Sequence, residues 1–155
     1  NSVLKENLKV SQFTRVLFKN SKENRLSGLS DFFSQFQIKT PEGFYQKLEN
    51  ETLFIWTQKE GKRFGFVAKV KGGSGELKNL LKSWEPTMEK DFEEIFKLLG
   101  KTSPAYSPVF KNFSYRGINF RCQPFSKNDL GICYFISEER LIWTSSFESM
   151  VKILD

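Results

Sequence analysis

Two stretches of this chain pass from alternating to helical periodicity in the same order. In the first, Thr52–Gln58 and Lys62–Val70 are rich in aromatic and β-branched residues and flank Lys59-Glu60-Gly61, which predicts a hairpin. Glu76–Trp84 follows, with Leu77, Leu80, Leu81 and Trp84 on one stripe of a helix. In the second, Gly131–Ile136, the turn Ser137-Glu138-Glu139 and Arg140–Ser145 repeat the hairpin. Phe147, Met150, Val151 and Leu154 then fall at i, i+3, i+4 and i+7 of a closing helix.

The rest of the pattern fills in around these units. Residues 1–11 read as a polar lead-in, and Gln12–Phe18 as a strand. Leu29, Phe32, Phe33 and Phe36 predict an amphipathic helix, and Thr40-Pro41 opens a short second one over Pro41–Leu48, with proline at the first helical position. Glu85-Pro86 is expected to interrupt the helix after Trp84. A new one then carries Met88, Phe92, Ile95, Phe96 and Leu99 inward, with Gly100 as its cap. Val109–Tyr115 and Ile118–Pro124 around Arg116-Gly117 make a third hairpin. Antiparallel hairpins with helices inserted as blocks define the α+β class. The expectation is one α+β domain over residues 1–155, with two related halves, 12–100 and 101–155.

Composition narrows the chemistry by subtraction. The 155 residues include 17 Phe and no His. Without histidine there is no Ser-His or Cys-His catalytic pair, and with two cysteines no closed zinc site. No catalytic residue, cofactor or metal is expected, and the chain does not read as an enzyme. The acids Glu85, Glu89, Asp91, Glu93 and Glu94 lack the alternating oxygen ligands of a calcium loop and suit the positive end of a helix dipole. Gly72-Gly73-Ser74-Gly75 lacks the lysine of a phosphate loop and reads as a strand-to-helix joint. Cys122 and Cys133 are placed either to bridge neighbouring strands or to pack as two small apolar residues.

The net charge of +6 is unevenly spread, and residues 101–128 hold five bases and no acid. With Tyr106 interleaved, Lys101, Lys111, Arg116, Arg121 and Lys127 form the expected binding surface. A second candidate is Lys62, Arg63, Phe64 and Phe66, within a run that resembles the RNP1 strand of RNA-recognition motifs. Arg63 stands there in place of glycine and Lys69 in place of an aromatic, and a three-residue turn joins strands that the motif separates by a helix and a strand.

Several local patterns together resemble an uncharacterised family of predicted membrane-anchored, extracytoplasmic proteins from small-genome candidate-phyla bacteria. They are Arg63-Phe64-Gly65-Phe66-Val67, Trp84-Glu85-Pro86-Thr87-Met88-Glu89, Leu98-Leu99-Gly100-Lys101, Tyr115-Arg116-Gly117-Ile118, Asp129-Leu130-Gly131-Ile132 and Thr144–Met150. The resemblance spans about residues 53–155 and implies an extracytoplasmic location and a membrane anchor outside this chain, with no activity attached. The expected function is a non-catalytic domain for protein interaction or cell-envelope organisation, its partner an unknown protein or an envelope polyanion. The alternative is a nucleic-acid-binding module using the basic aromatic hairpin. That alternative requires Phe64 and Phe66 in solvent, where bases can stack on them, whereas the favoured reading is a plain amphipathic hairpin with both facing the core.

Overall fold

The computed structural model describes residues 12–20, 23–125 and 128–155. Seven strands form one antiparallel sheet in the order β1-β4-β5-β9-β8-β7-β6. These are β1 (Gln12–Val16), β4 (Leu48–Gln58), β5 (Gly61–Val70), β6 (Lys111–Tyr115), β7 (Ile118–Pro124), β8 (Gly131–Ile136) and β9 (Arg140–Thr144). A separate ribbon pairs β2 (Phe18–Asn20) with β3 (Arg25–Ser27). The helices are α1 (Leu29–Gln35), α2 (Ser74–Asp91), α3 (Glu93–Leu98) and α4 (Phe147–Leu154). The architecture is α+β, as the hairpin pattern predicts.

The alternation of side chains along each strand divides the interior in two. On one face, Phe64, Phe66 and Ala68 of β5, Leu141 and Trp143 of β9, and Ile132 and Tyr134 of β8 join the buried faces of α1, α2 and α3. Trp143 lies at the centre, stacked on Phe92 with ring centroids 4.5 Å apart. On the other face, Phe120 and Cys122 of β7, Cys133 of β8 and Ile142 of β9 pack under Met150 of α4. The two strand–strand–helix units therefore share an element order but not a packing, because α2 and α4 cover opposite faces. They also share one sheet, since β5 pairs with β9 from Gly65↔Thr144 to Lys69↔Arg140.

Four boundaries differ from the sequence reading, each for a local reason. The expected strand over 12–18 divides at the exposed Leu17, its first part pairing with β4 and its remainder with β3. Residues 41–48 contain a single 3-10 turn at Tyr45–Lys47 in place of a helix, because Gly43 takes a φ of +83° that α geometry does not allow. Strand β4 starts at Leu48, four residues earlier than expected. A bulge between Glu49 and Thr52, with Asn50 in the left-handed region, lets pairing continue past the irregularity. Finally, α2 runs through Pro86 to Asp91. Pro86 and Lys82, whose carbonyl loses its amide partner, both lie on the exposed side of α2, where water can replace the missing bond. The interruption falls instead at Phe92, whose buried ring meets Trp143. The polar lead-in at 1–11 lies outside the described residues.

Candidate functional site

Polar side chains concentrate where α2 crosses the β6–β7–β8 end of the sheet. Glu85 and Glu89 are one helical turn apart and face the same way, about 6 Å along the axis. Arg121 and Gln123 are two residues apart on one face of β7, about 6.6 Å along the strand. The two spacings match, so each carboxylate meets one strand residue. Arg121 binds Glu85 with two N–H groups, one of them at 2.7 Å, and reaches Asn112 Oδ1 at 2.7 Å and the Phe110 carbonyl at 3.3 Å. Tyr134 donates its hydroxyl to the same Glu85 oxygen that Arg121 Nε reaches. Burial, then the Glu85 carboxylate, push the Tyr134 hydroxyl far above its ordinary range. The bond to Glu85 likewise raises Arg121.

One turn on, Glu89 accepts from Lys101 Nζ at 2.7 Å, the Ala105 amide at 2.8 Å and Gln123 at 3.2 Å. Lys101 also sits 4.5 Å above the centre of the Phe125 ring. Glu85 thus clamps the β6–β7 hairpin to α2, and Glu89 clamps the loop that precedes it. Both carboxylates are spoken for by structural donors, which leaves neither placed as a general base.

These bonds revise the expected basic surface. The stretch 101–128 has no acid in sequence, but acids arrive from elsewhere in the fold: Glu89 for Lys101, Glu85 for Arg121 and Asp155 for Arg116. Tyr106, 67% exposed, and Lys111 remain on the surface. Lys127 lies outside the described residues. What reads as one patch along the chain is two clamps within the fold, one exposed ion pair at Arg116 and two exposed side chains.

In the aromatic hairpin the core-facing reading holds and the nucleic-acid alternative does not. Phe64 and Phe66 are 2% and 1% exposed and belong to the main core, so neither can stack on a base. Arg63 is equally buried, at 1%, and donates to the carbonyls of Lys62, Asn128 and Asp129. Burial lowers its affinity for a proton, with Asp129 acting in the opposite sense. Lys62 is partly exposed. The hairpin that resembles an RNA-binding strand lies inside the sheet, between β1 and β9.

Sequence reasoning missed two carboxylates that hold helix starts. Glu138, in the turn between β8 and β9, accepts from the Ser74 hydroxyl at 2.6 Å and its amide at 3.4 Å, at the first residue of α2. The Gly72-Gly73-Ser74-Gly75 joint therefore meets an anion, and it is this chain's own. Asp129 accepts from the Phe147 and Glu148 amides, each at 3.1 Å, at the start of α4, and from Gln58 at 3.2 Å. Each acid lies 18 or 64 residues from the helix it serves, a distance at which no sequence spacing signals the contact. Asp91, Glu93 and Glu94 are dispersed as well: Asp91 accepts from Trp84 and Thr87, while Glu93 and Glu94 pair with Lys97. Among the described residues no three acids or cysteines converge on a point that could hold a metal ion.

Cys122 and Cys133 face each other across β7 and β8 and form a disulfide, fully buried beneath α4. No helix among the described residues is long and apolar enough to cross a membrane. Comparison with protein-family models, with curated proteins and with solved structures finds no match.

Proposed function

We propose that this chain is a non-catalytic, extracytoplasmic interaction domain of a membrane-anchored protein, serving protein association or envelope organisation. The observation that carries this reading is the use made of its clustered charges. Glu85, Glu89, Asp129 and Glu138 each hold one element of the fold to another. Such a molecule spends its polar chemistry on rigidity and offers a partner its surface. The disulfide supports the location, since bonds of this kind persist in oxidising compartments. The side chains left outward, Tyr106, Lys111 and Arg116, are those through which contact with a partner is expected.

The test is differential alkylation of intact cells followed by mass spectrometry. A disulfide between Cys122 and Cys133 in the native protein is expected. Two free thiols in freshly quenched cells overturn the extracytoplasmic location. Turnover of a small molecule that disappears on replacing one polar residue, at unchanged fold, overturns the non-catalytic role.

A further inference from the structure

A groove of about 340 Å³ opens between the outer side of α2 and strands β7 and β8. Lys78 and Lys82 form one wall, Asn119 and Arg121 another, and Tyr134 and Ile136 supply an apolar floor. Three cations line it and no carboxylate does. Three other grooves are different in kind. The one between α2, α3 and the loop after α3 sets Glu89 and Glu93 among its lysines. The one at the end of α3 sets Glu94 beside Lys97, and the one beside the 3-10 turn sets Glu42 and Glu76 beside Lys47.

Lys78 and Lys82 stand at i and i+4, a like-charge spacing that costs a helix stability. Lys82 has no acid partner among the described residues, and Lys78 has only Glu138, at 3.8 Å with both side chains well exposed. Beside them the Arg121 guanidinium cannot swing away. Glu85, Asn112 and the Phe110 carbonyl engage four of its N–H groups, leaving one uncommitted among the described residues. A guanidinium held in place by Glu85 with one N–H to spare, beside the unpaired Lys82 and the loosely paired Lys78 and over an apolar floor, is an arrangement that can receive an anion with an apolar body.

We propose that this groove is a binding site for a phosphate ester. The phosphate lies among Lys78, Lys82 and Arg121, and the apolar group rests on Tyr134 and Ile136. The same chemistry is offered by a soluble phosphate monoester and by a phospholipid headgroup. The inference depends neither on the compartment of the protein nor on its interaction role.

The experiment titrates the full chain by calorimetry, at a salt concentration that screens diffuse attraction, with phenyl phosphate and separately with phosphatidate vesicles set against phosphatidylcholine vesicles. Saturable binding of phenyl phosphate is expected for a soluble ligand, and of phosphatidate vesicles alone for a headgroup. Either is expected to weaken about threefold in Lys78→Ala or Lys82→Ala and about tenfold in the double variant. Asn119→Asp, which puts an acid into the lining, is expected to weaken it as well, and Lys90→Ala in the neighbouring groove to leave it unchanged. All four positions are exposed, so thermal melting is expected to confirm that each variant folds. No saturable binding of either probe overturns the proposal. So does binding that the double variant leaves intact, or that Lys90→Ala weakens as much.

Discussion

Single residues decide how closely the layers approach. Gly65 lies in β5 where a Cβ would stand 2.3 Å from the ring of Phe54 and 2.7 Å from the Trp143 carbonyl. Gly65→Ala is therefore expected to destabilise the fold by about 3 kcal/mol, read by urea denaturation; a change within about 0.5 kcal/mol would mean that β5 and β9 can separate at no cost. The Glu85–Arg121 pair makes the complementary case. Arg121→Leu leaves a largely buried carboxylate with only Tyr134, and is expected to cost about 2–3 kcal/mol. Replacing Glu85 by Leu as well should recover much of the loss, and a double-mutant cycle measures the coupling. Little of this was legible beforehand. A glycine inside a strand signals a close approach, but not what approaches. Arg121 read as one of five bases in an acid-free stretch, because its acid lies 36 residues away.

Elements are where sequence reasoning did best, and where its failures have a common cause. Three hairpins and the helices α1, α2 and α4 follow from periodicity, since two-residue and 3.6-residue repeats are local properties of the chain. Ser146 also lies just before the apolar stripe of α4, and its side chain accepts from the Ser149 amide as an N-cap should. Apart from the helix expected over 41–48, what failed was the ending of elements. Proline is read as a break, yet Pro86 faces outward in α2, and the helix yields at Phe92 where a ring must reach the core. The distant caps lead to two tests. Asp129 has a φ of +57°, so Asp129→Gly keeps the backbone accessible while removing the carboxylate from α4. A loss of about 1 kcal/mol is expected by chemical denaturation. For Glu138, bonds from Ser74 hold the carboxyl below its ordinary range. A depressed carboxyl contributes stability that is complete above its unfolded value, about 4.3, and is lost as pH falls through the lower folded value. The acid limb of the stability curve should accordingly be shallower in Glu138→Gln than in the parent chain, while an identical limb would show that the cap carries no linkage.

At the scale of the whole molecule, the sheet is what joins the parts. Both cores are built on the same strands, so loosening one face should be felt on the other. The disulfide offers the test. It joins β7 to β8 across a sequence separation of 11 and lies in the smaller core. Reduction is expected to lower stability by about 2–3 kcal/mol and Tm by about 5–10 °C, in a single transition if the cores are coupled. Two separated transitions by calorimetry would show that they melt independently. The sequence alone determined the three hairpins, the helices α1, α2 and α4, the α+β class and the lack of histidine chemistry, because each is written in near neighbours or in composition. Only the tertiary structure decided that β5 meets β9, that α2 and α4 take opposite faces, and that Lys78, Lys82 and Arg121 share a groove. Those outcomes depend on contacts between residues far apart in the chain, such as the Phe64 amide and the Ser145 hydroxyl, 81 positions away. Such a partner is selected by the burial of the entire sheet, and no local pattern encodes that choice.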